Sequence, residues 1–275
     1  MITRDPEKIG HIIDRYRQRE DLIRATGNIE RQIKSICRRS VGFSTFDPAP
    51  IRAAKMKEAK ALNEAIENGD KSASEHYLSV AHLIPARDTL AEHKKTVEKL
   101  MVDDAKALGM QDFVGSTPGF GIVGLAMIVG EAGDLADYAN PAKLWKRMGL
   151  AVIDGERQRK CTDKQLAEIH GYNPRRRSAM FVIGDSMIKS QGEYRELYLQ
   201  RLSVEHGKAI SEGLLPVTSV ASTVESWANR GLPPITKVKA VDQKAHRSAG
   251  HMAHRAQRYM EKRLLRNLWK YWNQE

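Results

Sequence analysis

An all-α fold is predicted, with an N-terminal helical or coiled-coil region leading into a domain that contains a helix-hairpin-helix. Three observations predict it. Apolar residues recur three and four apart over most of the chain, the spacing of one helix face. Residues 1–110 show no β-branched alternating run of the kind that marks strands. And Pro118-Gly119-Phe120-Gly121 interrupts the helical pattern just before an almost wholly apolar run, Ile122 to Glu131. The expected divisions are 1–110 (helical hairpin or coiled coil), 111–211 (the hairpin-containing domain), 212–240 (a loop or insertion) and 241–275 (a basic amphipathic helix).

At the N-terminus, Asp5-Pro6-Glu7 supplies a cap and a proline-compatible first turn. Ile9, Ile12, Ile13, Tyr16 and Ile23 follow at helical spacing, then Ile29, Ile33, Ile36 and Cys37 beyond a break signal at Thr26-Gly27. One long helix or two consecutive ones fit. Arg15, Arg17, Arg19, Arg24, Arg31, Lys34, Arg38 and Arg39 crowd the other faces, but interspersed Glu and Asp make a solvated surface the default. Val41 to Pro50 reads as a hinge, and Ile51 to Asn68 is a helix by intrinsic propensity. Gly69-Asp70 breaks it, and a further helical stretch runs over 72–109, with Pro85 in a new first turn.

The 118–121 turn is the centre of the chain. Its two glycines let the backbone take φ > 0 and approach another surface. The apolar run after it is too short to span a bilayer and reads as a buried helix. Gly133-Asp134 ends that helix, and Asn140-Pro141 starts another at the N-cap and N1 positions. Backbone N–H groups at the start of the helix after the turn are suited to a nucleic-acid phosphate. The structural alternative is a glycine C-cap between two core helices.

Basic residues dominate the stretch from 143 to 177: Lys143, Lys146, Arg147, Arg157, Arg159, Lys160, Arg175, Arg176 and Arg177. The last three open a helix capped by Asn173-Pro174, where cations oppose the helix dipole. A bound phosphate would offset that cost. Residues 212–237 shift to Gly, Pro, Ser and Thr, with a short helix expected near 224–228 and Trp227 read as a local anchor in preference to a base-stacking residue. The final helix, expected over 241–272, carries an apolar stripe from Ala249 to Trp272. Opposite lies a basic row of Arg247, His251, Arg255, Arg258, Lys262, Arg266 and Lys270. At about 1.5 Å rise per residue, such a row can track several phosphates.

Composition points the same way. A net charge of +11 and an isoelectric point near 9.6 suit a polyanionic partner. Charged residues make up 29% of the chain and apolar ones 41%, a balance that suits elongated helices with much solvated surface. There is no long apolar segment and no signal peptide, so no membrane partner is expected. Cys37 and Cys161 lack metal-ligand spacing, and a cytoplasmic, nucleoid-associated chain with reduced thiols is the expectation.

The order of PGFG, apolar helix, Gly-Asp, turn tyrosine, Pro-started helix and Met148-Gly149-Leu150 resembles the C-terminal transposase domain of the Piv/MooV-type invertases and related insertion-sequence transposases. Gly171 to Ser190 and the His254-to-Trp272 segment extend the resemblance, which covers roughly 114–200 and 244–273. The resemblance implies an RNA-bridge-guided recombinase with a RuvC-like acidic nuclease domain and a serine nucleophile. Residues 1–110 offer no acidic strand for the former, and Asp103-Asp104 reads as solvated surface. Residues 151–177 contain no serine for the latter. Glu156 and Arg157 stand where the serine would fall, and Cys161 or Thr162 could substitute only with a base that is not evident.

The expected function is therefore binding of nucleic acid, DNA above all, by a catalytically inactive transposase relative. Its partners would be DNA, a structured RNA in addition, and a second copy paired through the N-terminal helices. An active recombinase using another nucleophile or a nuclease in trans is the enzymatic alternative, and a coiled-coil scaffold the structural one. The candidate contacts are Pro118, Gly119, Gly121, Lys146, Arg147, Arg157, Arg159, Lys160, Arg175, Arg176, Arg177, Arg255, Arg258, Lys262 and Arg266. No catalytic residue, metal ligand or cofactor is assigned.

Overall fold

Pro6 opens a helix that runs unbroken through Gly27 to Ser40, α1 (Pro6–Ser40). The structure is a computed structural model that describes residues 3–73 and 75–274, so residue 74 of the expected 72–109 helix lies outside the described residues. After the turn at 41–48 come α2 (Ala49–Glu67), α3 (Tyr77–Ala81) and α4 (Leu83–Lys106). Gly69, at φ +85°, ends the segment after α2 in a conformation that glycine adopts at no steric cost. Pro85 stands in the first turn of α4, where no intrahelical N–H is needed.

The chain forms two compact units, 14–101 and the combination of 1–13 with 102–275. The smaller unit has its own core. Ile33 and Cys37 of α1 pack with Ala59 and Ile66 of α2 and Val80 of α3. Several of its basic residues are engaged within the unit: Arg19 Nε donates to Glu98 at 2.7 Å, Arg15 to the carbonyl of Leu100 at 2.9 Å, and Arg24 pairs with Asp21.

The larger unit continues with α5 (Gln111–Gly115), α6 (Ile122–Ala132), a 3-10 turn at Leu135–Asp137 and α7 (Pro141–Arg147). Next come a short antiparallel hairpin, β1 (Val152–Ile153) and β2 (Glu156–Arg157), and α8 (Lys164–His170), α9 (Pro174–Lys189) and α10 (Glu193–Ser211). The predicted starts hold. Asn140 Oδ1 accepts from the N–H groups of Ala142 and Lys143 at 3.0 and 3.2 Å, and Asn173 caps α9 in the same way. α6 is buried from Leu125 to Glu131 and ends at Gly133. The helix before the 118–121 turn is α5, only five residues long, so the turn joins a single helical turn to α6.

Residues 212–240, expected as a loop or insertion with a short helix near 224–228, hold regular structure along part of their length. β3 (Leu215–Thr218), α11 (Ala221–Ala228) and β4 (Thr236–Lys237) form a strand-helix-strand unit, and β5 (His246–Ser248) completes a parallel sheet in the order β4-β3-β5. The last helix, α12 (Ala249–Trp272), therefore starts eight residues after the expected Val241, and Arg247 lies in a strand. Ser248 caps it, accepting from His251 N at 3.2 Å. Among the described residues the fold is mostly α-helical with no closed sheet. No helix among the described residues is long and apolar enough to cross a membrane.

α12 is the spine of this unit. Met252, Ala256, Met260, Leu264, Leu265, Leu268 and Trp272 are buried, while its cations lie beside them on the wetter face.

Candidate nucleic-acid interface

The cations of α12 face a basic hollow of about 670 Å³, walled by the β1–β2 hairpin and by α9 and α10. Seven of the predicted contacts line it: Arg157, Arg159, Lys160, Arg177, Arg255, Arg258 and Lys262. Arg201, Glu205, His251, Tyr172 and Tyr259 join them.

The hairpin turns through Asp154 and Gly155, both at positive φ (50° and 78°), the primed-turn geometry that suits two-residue hairpins. Gln158 anchors its exit. The buried amide donates to the carbonyls of Lys146 (2.9 Å) and His170 (2.5 Å) and accepts from Ala151 N (3.2 Å). Arg157, Arg159 and Lys160 thus project from a fixed base while staying exposed.

Buried carboxylates orient the remaining guanidinium groups. Glu205, 2% exposed, binds Arg201 at 2.5 Å and Arg255 at 2.7 Å. Glu261, fully buried, takes Arg177 at 2.7 Å. Burial pushes the Glu261 carboxyl up to about 7, against the opposing pull of Arg177 and Arg258.

Arg258 stands apart. It is half-buried, and no carboxylate among the described residues lies within ion-pairing distance of it. Desolvation, followed by the charges of Arg177 and Arg157, lowers its pKa against the opposing pull of Glu261, with Arg255 adding to the lowering. Burial and neighbouring arginines likewise lower His251 and Lys262. Like charges gathered in a partly dry concavity repel one another and are destabilising by themselves. An anion entering the hollow reverses that sign.

The other predicted contacts lie elsewhere. Arg175 and Arg176 pair with the buried Glu131 of α6 at 2.5 and 3.2 Å, and Arg147 donates to the Glu131 carbonyl at 2.9 Å. A carboxylate of the chain itself offsets the basic N-terminus of α9. Lys146 is exposed outside the hollow, and Arg266 lines a neighbouring one. Gly119 has φ +81°, and a Cβ there would fall 2.7 Å from Met187 Cα and 2.8 Å from Ser186 O, so this glycine seats the turn on α9. Pro118 packs against Gly192 on the same side. Gly121 is exposed at φ −85°, a conformation open to any residue, and its α6 N-terminus has no side-chain cap. The Cys161 thiol donates to the Arg159 carbonyl at 3.6 Å.

Sequence reasoning missed Arg201, Glu205, Tyr172 and Tyr259. Arg201 and Glu205 stand four apart on α10 and look like an ordinary surface pair. What changes their meaning is the approach of Arg255 from α12.

Over 150 residues the chain is 25% identical to a Streptomyces clavuligerus protein described as "Insertion element IS116 uncharacterized 44.8 kDa protein", a match covering 54% of this chain and 36% of the relative. The chain thus spans about a third of the length of that curated relative, and the kinship is with an insertion-sequence protein at a distance. No family model matches, and no solved structure matches.

Proposed function

We propose that the larger unit binds nucleic acid, DNA in the first place, with the phosphate backbone entering the arginine-lined hollow. The observation that carries this reading is Arg258, a half-buried cation crowded by Arg157, Arg177 and Arg255, which the charge of Glu261 offsets only in part and which has no carboxylate within ion-pairing distance among the described residues. A phosphate with its charge-assisted hydrogen bonds is the complement such a site lacks. The net charge of +11 and the distant kinship with an insertion-element protein support it. In this reading the chain is a transposase-related protein that holds or bridges DNA and does not itself cut it. Pairing of two copies through 14–101, where Phe46, Ile51 and Leu78 are exposed, would let one assembly hold two duplexes.

The test is charge reversal at an exposed position. Arg157→Glu sits on the hairpin surface and leaves the core untouched. Titration of a labelled duplex should show binding by the parent and a loss of ten-fold or more in the variant, about 1.4 kcal/mol. Equal affinities would overturn the assignment of the hollow.

A further inference from the structure

Beside the arginine hollow lies a second one of about 480 Å³ with a different lining: Pro141, Ala142 and the Trp145 indole from α7, with Arg263 and Arg266 from α12. Tyr259 and Lys262 line both hollows, so the two adjoin. The Trp145 ring is fixed in place. Its Nε1 donates to the Lys262 carbonyl at 3.1 Å, and the Lys262 ammonium sits 5.4 Å from the ring centroid. Two guanidinium groups lie against the Tyr259 ring, Arg201 at 4.8 Å and Arg263 at 5.0 Å from its centre. A cationic cavity therefore opens into an aromatic one with a cationic rim.

We propose that the two hollows form a subsite for an unpaired nucleotide of a strand, its phosphate at Arg258 and Lys262 and its base against Trp145. Paired DNA keeps its bases stacked inside the helix and offers phosphates, sugars and base edges but no free base face. A half-buried indole next to a phosphate site gains a partner only when a base leaves the stack, as single strands and extruded bases allow. The rigid seat of Trp145 adds to this, because a ring held in place loses little freedom when a base stacks on it. The proposal rests on the phosphate reading above and extends it to single-stranded or opened DNA.

The full chain is titrated with a thymidine oligomer of about twelve nucleotides, within the span of one single-strand site, and with a blunt duplex. Intrinsic tryptophan fluorescence and labelled-DNA anisotropy are read together, for the parent and for Trp145→Leu, Trp145→Phe and Arg157→Glu. The single strand should quench the parent's fluorescence. Trp145→Leu should weaken single-strand binding at least about five-fold and leave duplex binding unchanged. Trp145→Phe, which loses the same bond to Lys262 but keeps an aromatic face, should retain most of the affinity. Arg157→Glu should weaken both ligands. If Trp145→Leu binds the single strand as well as the parent while Arg157→Glu does not, the base subsite is wrong and the phosphate reading stands. Equal loss for strand and duplex in a folded Trp145→Leu protein also overturns the subsite. Saturation by thymidine monophosphate at the oligomer's affinity would overturn the assignment to a strand. Unchanged binding in Arg157→Glu would instead remove the phosphate reading on which the subsite rests.

Discussion

The Ser190 hydroxyl donates to the Pro118 carbonyl at 2.9 Å, bridging 72 residues of sequence and tying the Pro-Gly-Phe-Gly turn to the end of α9. Gly119 sits under this bond with φ +81°, and an added Cβ would come within 2.6 Å of Ser190 Oγ. Two residues on, a Cβ at Gly121 would meet nothing within 4 Å among the described residues.

Gly119→Ala is therefore expected to destabilise the protein by about 2–5 kcal/mol, combining backbone strain with overpacking. Gly121→Ala should stay within about 1 kcal/mol of the parent, since a weaker N-cap opposes a stiffer unfolded chain. Urea denaturation midpoints of the two variants check this directly.

The three arginines that open α9 should separate by role. Arg176→Ala removes a partner of the buried Glu131 and should cost about 1–3 kcal/mol of stability, with duplex affinity of the folded protein unchanged. Arg157→Ala, on an exposed hairpin, should show the reverse: an unaltered melting temperature and weaker binding. Paired melting and binding measurements on the two variants decide the matter.

Glu261 makes stability depend on pH. Its folded pKa of about 7 lies above the ordinary 4.5. Between these values the native carboxyl keeps a proton that the unfolded chain has released, so stability falls as pH rises through the window and levels off above it. Glu261→Gln removes the titrating group. Relative to the parent, the variant should gain stability from pH 5 to pH 8, on the order of 3 kcal/mol. Denaturant titrations at the two pH values give the difference, and a constant offset would contradict it.

Helix ends were the most legible feature, because Asn140-Pro141, Asn173-Pro174 and Gly133 each act through local backbone chemistry that sequence displays. The β3 strand was not legible. It is four residues long and carries Pro216, which has no N–H for the ladder, yet it is the central strand of its sheet. The site was legible as a list of cations but not as a sorting of them. Whether an arginine is answered within the chain depends on carboxylates far away in sequence. Glu131 lies 44 residues before Arg175, and Glu261 lies 84 after Arg177. No local pattern encodes those pairings, so Arg175, Arg176 and Arg258 look alike in the sequence and differ in the fold.

The salt dependence of duplex binding tests the arginine hollow most directly. Affinity for a labelled duplex is measured across a series of salt concentrations for the parent, Arg157→Gln and Arg258→Gln. Each neutralised phosphate releases counterions, so the parent should show a steep linear fall of log affinity with log salt. Each variant should reduce that slope by about one. A shallow parent slope, or variants that leave it unaltered, would contradict the assignment of these arginines to a phosphate backbone.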